Sequence, residues 1–300
     1  MARRRRYEFF DEEFLERLQR LHLIAKRLTA RGTRGTRRSR RLGDGLEFAD
    51  HRSYAPGDDV RFVDWPYYAR MEKLLLRLFH ERSEADVVIL LDVSASMAPG
   101  GAMEKFNYAR RAAAALAFVA MGGLERVIVQ PFADEPGERL RTGRNRGQIL
   151  EVLDFLAALQ PAGRTELRHC VERLARKSDA AATVLLLSDL LDCGEELSDS
   201  LAVLRAGGDE VTILHVYSPL DAAPELAGPI LLQQAETDET LALDLTEELC
   251  RSYRERWQEF CAGLERTALS RGTTYVAAAS DVPFEQLVLH ALRRAGVLTG

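Results

Sequence analysis

At 300 residues, 46% hydrophobic and 29% charged, the chain has a globular composition and can bury a core that needs neither disulfides nor a structural metal. Cys170, Cys193, Cys250 and Cys261 include no C-x-x-C pair, which argues against a zinc site or a disulfide framework and fits a reducing compartment. The net charge of −5 conceals an asymmetry: residues 1–41 carry fourteen Lys/Arg against five Asp/Glu, a balance of +9, so the rest carries −14.

Such a basic stretch is an anion-seeking arm or a solvated tail, and nucleic acid, an anionic membrane surface or an acidic protein face are its natural partners. No run approaches 18 consecutive apolar residues, and no signal-peptide core follows the basic start. A cytoplasmic protein is therefore expected.

Along the chain, Phe10, Phe14, Leu18, Leu21 and Ile24 predict an amphipathic helix over residues 8–30. The glycine- and arginine-rich residues 31–41 preclude a packed core. Residues 42–85 form an aromatic-rich block, YAPGDDVRFVDWPYYAR, with a turn at Pro56–Asp59, a candidate strand at 74–79 and Trp65 expected in the core. These features divide the chain into a basic helix and arm (1–41), a block packed on the main domain (42–85) and the main domain with a C-terminal elaboration (86–300).

From residue 86 strands and helices alternate. VVILL (87–91) is a continuous apolar run, as a strand buried on both faces requires. Helices near 105–121, 147–159, 166–178 and 197–206 alternate with strands at 126–132, 183–188 and 211–217. The fold class is α/β, a doubly wound, mainly parallel sheet with an N-terminal helical and β extension. After Ser218 the rhythm breaks. A hairpin (230–234 with 241–245), a long helix (246–270), a short strand TTYVAA and a last helix (284–295) close the chain.

The chemistry-bearing residues fall just beyond predicted strands, where open α/β sheets bind ligands. Asp92 ends the first main-domain strand, with Ser94 and Ser96 two and four residues on; Asp189 ends TVLLLSD; Thr165 lies in a loop between two helices. Singly, each such Asp or Ser is more often a helix cap. Together they are an all-oxygen set suited to a hard cation, Mg²⁺ (or Mn²⁺/Ca²⁺), with a coordination position left for an acidic partner.

The D-x-S-x-S motif with Thr165 and Asp189 resembles the metal-ion-dependent adhesion site of von Willebrand factor A domains. The preceding GDDVRFVDW block narrows the resemblance to the bacterial family called domain of unknown function 58. It implies Asp92, Ser94 and Ser96 as the first metal-binding loop, Thr165 as the second and Asp189 as the third. It also implies a MoxR-type AAA+ ATPase as partner in assembly or maturation of a client. Gly163-Arg164 replaces the Gly-Gly that often precedes the threonine, so a changed loop shape or added positive charge is expected there.

The leading expectation is a non-enzymatic, cation-dependent protein-binding adaptor. The alternatives are nucleic-acid or membrane binding through residues 1–41 and a Mg-dependent hydrolase. The hydrolase reading lacks a G-x-S-x-G elbow, a phosphate-binding loop and the second carboxylate of D-x-D-x-[ST], whose place Ser94 takes. The six histidines have no metal-ligand spacing. Asp58, Asp59, Arg61, Asp64 and Trp65 are expected to build a salt-bridged turn, with a second functional surface as the alternative. Cys193 is expected to be accessible but without a role.

Overall fold

The computed structural model describes residues 10–31, 38–43, 47–56, 58–82, 86–98, 104–123, 125–175, 181–191, 193–194, 196–224, 228–235 and 239–294. Residues 1–9 and 32–37, most of the expected basic arm apart from the helix, lie outside them. The chain divides into two compact units, one formed by residues 1–32 with 85–300, the other by residues 33–84.

Helix α1 (Glu12–Arg31) starts where the Asp11 carboxylate accepts the Phe14 N–H at 2.8 Å. Its apolar face, Phe10, Phe14, Leu18, Leu21 and Ala25, is buried in the core of the larger unit. Ile24, expected on that face, is 44% exposed, and Ala25 takes the position. The grouping of this helix with the arm as residues 1–41 thus differs from the structure. Amphipathy fixes which face is buried and leaves open what buries it.

In the smaller unit, β1 (Arg38–Gly43) and β2 (Glu47–Ser53) flank β3 (Leu75–Arg82) in an antiparallel sheet of order β1-β3-β2. Part of the expected arm is therefore strand. Helix α2 (Trp65–Met71) is capped by Asp64, which accepts the Tyr67 N–H and lies 2.9 Å from His51 Nε2. Asp58 pairs with Arg52 at 2.6 Å, and Asp59 caps the turn at Val60–Phe62 while pairing with Arg61 at 2.6 Å. Turn and cap chemistry thus accounts for Asp58, Asp59, Arg61 and Asp64 of the block. Trp65 is a correction: at the first turn of α2 it is 54% exposed, its ring edge-on to Tyr68, while Val63 and Leu76 are the buried pair.

The larger unit continues with β4 (Val87–Asp92), α3 (Glu104–Gly122), β5 (Val127–Phe132), β6 (Leu140–Arg141), α4 (Ile149–Ala158), α5 (Leu167–Ala175), β7 (Thr183–Ser188), α6 (Glu196–Ala206) and β8 (Glu210–Tyr217). The short α7 (Pro219–Ala222), the antiparallel hairpin β9 (Gly228–Gln233) and β10 (Thr240–Leu245), α8 (Glu247–Ser270), β11 (Thr274–Ala279) and α9 (Phe284–Arg294) follow. The main sheet runs β11-β8-β7-β4-β5-β6, parallel except for the short edge strand β6. The rhythm does not end at Ser218. The hairpin and α8 are a long excursion before β11 returns beside β8.

Strand periodicity divides the core into two layers. Val87, Ile89 and Leu91 face the layer of α1, α3, α4 and α9; Val88 and Leu90 face that of α5, α6 and α8. Helix α3 is buried almost all round. Ala112 to Ala115 and Ala117 let its neighbours approach closely, and at Gly122 a Cβ would run into the His22 ring of α1. The rings of Phe14 and Phe284 lie 5.2 Å apart, and Arg17 pairs with Glu285 at 2.5 Å. Phe14→Ala should cost about 3–5 kcal/mol of stability through the cavity left between α1 and α9, measured by urea unfolding. No helix among the described residues is long and apolar enough to cross a membrane.

Candidate functional site

In a sheet of this order the chain builds outward from β4 in one direction and then, from β7, in the other. The loops after β4 and β7 leave adjacent strands in divergent directions, opening a crevice at their carboxyl ends. Asp92 is the last residue of β4, and Asp189 follows the last residue of β7. Both are fully buried, as is Ser94, while Ser96 and Thr165 are nearly so.

A chain of hydrogen bonds links four of the expected ligands. Asp92 Oδ1 accepts the Ser94 N–H at 2.8 Å; the hydroxyls of Ser94 and Ser96 are 2.9 Å apart; Ser96 Oγ donates to Asp189 Oδ1 at 3.3 Å. Ser94 begins a short 3₁₀ turn, Ala95–Met97, but its hydroxyl makes no capping bond. The helix-cap explanation therefore does not account for it. Thr165 comes from the neighbouring loop, which is stitched to the first by Ala162 N–H to Val93 O (2.8 Å) and Ala95 N–H to Gly163 O (2.9 Å).

Gly163 has φ +80°, and a Cβ there would stand 2.6 Å from Asp134 Oδ2. The Arg164 N–H donates to the Asp134 carboxylate, and the residue as a whole is exposed. Asp134 therefore shapes the Gly163-Arg164 loop through the backbone. Gly163→Val should disturb this loop through both backbone strain and the Asp134 clash, lowering the melting temperature by several degrees.

Sequence reasoning missed three partners of the two aspartates. Ser188 Oγ donates to Asp92 Oδ2 at 2.5 Å and accepts the Leu190 N–H at 2.9 Å. Leu190 makes this possible with φ 55°, an uncommon conformation for leucine that turns the chain sharply after Asp189 while its side chain stays buried. The third-loop carboxylate also receives the Leu191 N–H at 3.3 Å. Lys105, in the first turn of α3, places Nζ 2.8 Å from Asp189 Oδ2 and 3.1 Å from Asp221 Oδ2 of α7.

Burial and the nearby charge of Asp189 push the Asp92 carboxyl up to about 6. Burial opposes the Lys105 ammonium, yet the charges of Asp189 and Asp221 outweigh it and hold the group above its ordinary value. Two mutually repelling buried carboxylates beside buried hydroxyls fit a hard divalent cation. Among the described residues no cluster of three or more His, Cys, Asp or Glu forms a metal site, so a cation held here would need hydroxyls and water to complete its coordination. Cys193 is buried, correcting the expectation that it is accessible.

The molecule is thus an α/β protein whose doubly wound sheet gathers two aspartates and two serines at its switch point, with Thr165 buried in the adjoining loop. The chain belongs to the family described as protein of unknown function DUF58, whose model matches residues 50–261. Uncharacterized protein Rv1480 of Mycobacterium tuberculosis (strain ATCC 25618 / H37Rv) is 28% identical over 264 residues, covering 86% of this chain and 83% of that protein. Among solved structures, the conserved hypothetical protein BatB from Bacteroides thetaiotaomicron is 12% identical, covering 71% of this chain and 98% of that one, with a TM-score of 0.43. A von Willebrand factor type A protein from Catenulispora acidiphila is 14% identical, covering 73% and 43%, with a TM-score of 0.40.

Proposed function

We propose that this chain is a non-enzymatic adaptor that binds a protein partner through one divalent cation, Mg²⁺ or its relatives Mn²⁺ and Ca²⁺. The observation that carries the reading is the hydrogen-bonded chain from Asp92 through Ser94 and Ser96 to Asp189 at the sheet's switch point. These groups supply few direct charges, so a cation they hold retains electrophilic character toward an acidic side chain of the partner. Against acyl-transfer chemistry, Ser94 and Ser96 bond to one another, and Ser96 bonds to a carboxylate; among the described residues neither has an imidazole partner. The family resemblance supports a MoxR-type AAA+ ATPase as the associated machine, acting on a client that the adaptor presents.

The test is an affinity pull-down from native extract with wild type and Asp92→Ala, each in Mg²⁺ and in EDTA. A partner retained by wild type in Mg²⁺ and lost in the other three conditions is the expected result. Retention indifferent to both changes would sink the cation-dependent reading.

A further inference from the structure

A lysine is almost never fully buried unless paired. Lys105 has a side-chain exposure of 1% and reaches the same carboxylate that the cation reading assigns to the third metal-binding loop. Its ammonium lies against Asp189 Oδ2, whereas Oδ1 faces Ser96 Oγ and the Leu191 N–H. The two oxygens are therefore divided, one toward a built-in cation and the other toward the serine loop.

We propose that Lys105 is the internal counter-ion of this site, neutralising part of the Asp189 charge and so weakening the site's affinity for divalent cations. The proposal rests on the cation reading above and adds a residue that sets its strength. A divalent ion drawn to Asp92 and Asp189 meets a carboxylate whose charge is already shared, and at close range it is repelled by the ammonium. In a buried site that repulsion is much less screened than in water.

The ammonium cannot easily withdraw. It stems from the first turn of α3, where Phe106 and Ala109 are buried in the core. Asp221, held by a capping box with Ser218, gives it a second carboxylate to lean on when a metal competes for Asp189. The consequence is a site that keeps its shape without metal and takes a divalent ion only at elevated concentration.

The decisive experiment is a Mn²⁺ titration of the full chain, read by the EPR signal of free Mn²⁺, on wild type, Lys105→Met, Asp92→Ala and the double variant of both. Lys105→Met should bind Mn²⁺ about ten-fold or more tightly than wild type. Adding Asp92→Ala should abolish binding in either background. Melting without metal should show Lys105→Met less stable than wild type, with a larger gain on adding Mn²⁺. Unchanged or weaker binding in Lys105→Met, with Asp92→Ala still abolishing it, would overturn the counter-ion role and leave the cation site standing. Binding indifferent to Asp92→Ala in both backgrounds would remove the site and the counter-ion role together. Should Lys105→Met fail to fold, Lys105→Met/Asp221→Asn removes one charge of each sign and carries the same titration.

Discussion

Asp92→Asn should make the metal-free protein more stable at pH 7.5, by up to about 3 kcal/mol, while eliminating its cation binding. The carboxyl is pushed up to about 6 by burial first and by the charge of Asp189 second. A carboxyl raised above its unfolded value binds its proton more tightly in the folded state. Stability therefore falls as pH rises from about 4 to 6, and the full cost is present above 6. An amide at this position removes that cost and can still accept the Ser94 N–H, with Ser188 Oγ turning to accept from the new amino group. The gain should shrink as pH is lowered through 6 and vanish near 4. Chemical denaturation of both proteins in EDTA at pH 5 and 7.5 measures it, and an Asn variant less stable than wild type at pH 7.5 would refute the assignment.

On the cation reading, a divalent ion would stabilise only the protein that binds it, by about 2.7 kcal/mol at a hundred times its dissociation constant and about 4.1 kcal/mol at a thousand times, so the ranking would reverse only at the higher saturation. On that reading the Asp92 charge costs stability without an ion and would become favourable with one, a pattern typical of functional sites.

Much of this arrangement is legible in the residues themselves. The run VVILL reads as a strand buried on both faces, which places Asp92 at its carboxyl end; the same holds for TVLLLS and Asp189. The order in which strands neighbour one another is not local information. The placement of β7 beside β4, which brings Asp189 to Asp92, follows from the topology as a whole. Lys105 is illegible for a different reason. A lysine in the first turn of a helix reads as a solvated residue, and only the packing of α3 beneath two carboxylates buries it. Asp221 closes a capping box with Ser218 and also reaches the Lys105 ammonium. Trp65 misleads in the opposite direction, because aromatic character predicts burial only when the backbone aims the ring inward, and the start of α2 does not.

The second large effect concerns His215, which opposes Asp92 in the same pH window. It pairs with Ser188 across β8 and β7, bonds Tyr275 Oη through Nδ1 at 2.7 Å, and lies among the rings of Tyr217, Trp257, Phe260 and Tyr275. Burial lowers it to about 4. The unfolded chain then takes up a proton near 6.5 that the folded chain refuses until about 4, so stability falls as pH drops through that interval, by about 3 kcal/mol in all. Between pH 4 and 6 the slope from His215 is opposite to that from Asp92, so the two contributions offset one another in wild type. His215→Gln, whose amide can keep the bond to Tyr275, should expose the Asp92 slope, with stability rising on acidification from pH 6 to 4. Asp92→Asn should expose the His215 slope, with stability falling over the same range. Denaturation midpoints at half-unit pH steps separate the cases. Parallel profiles in all three proteins would mean that neither group is buried in the charge state its surroundings impose.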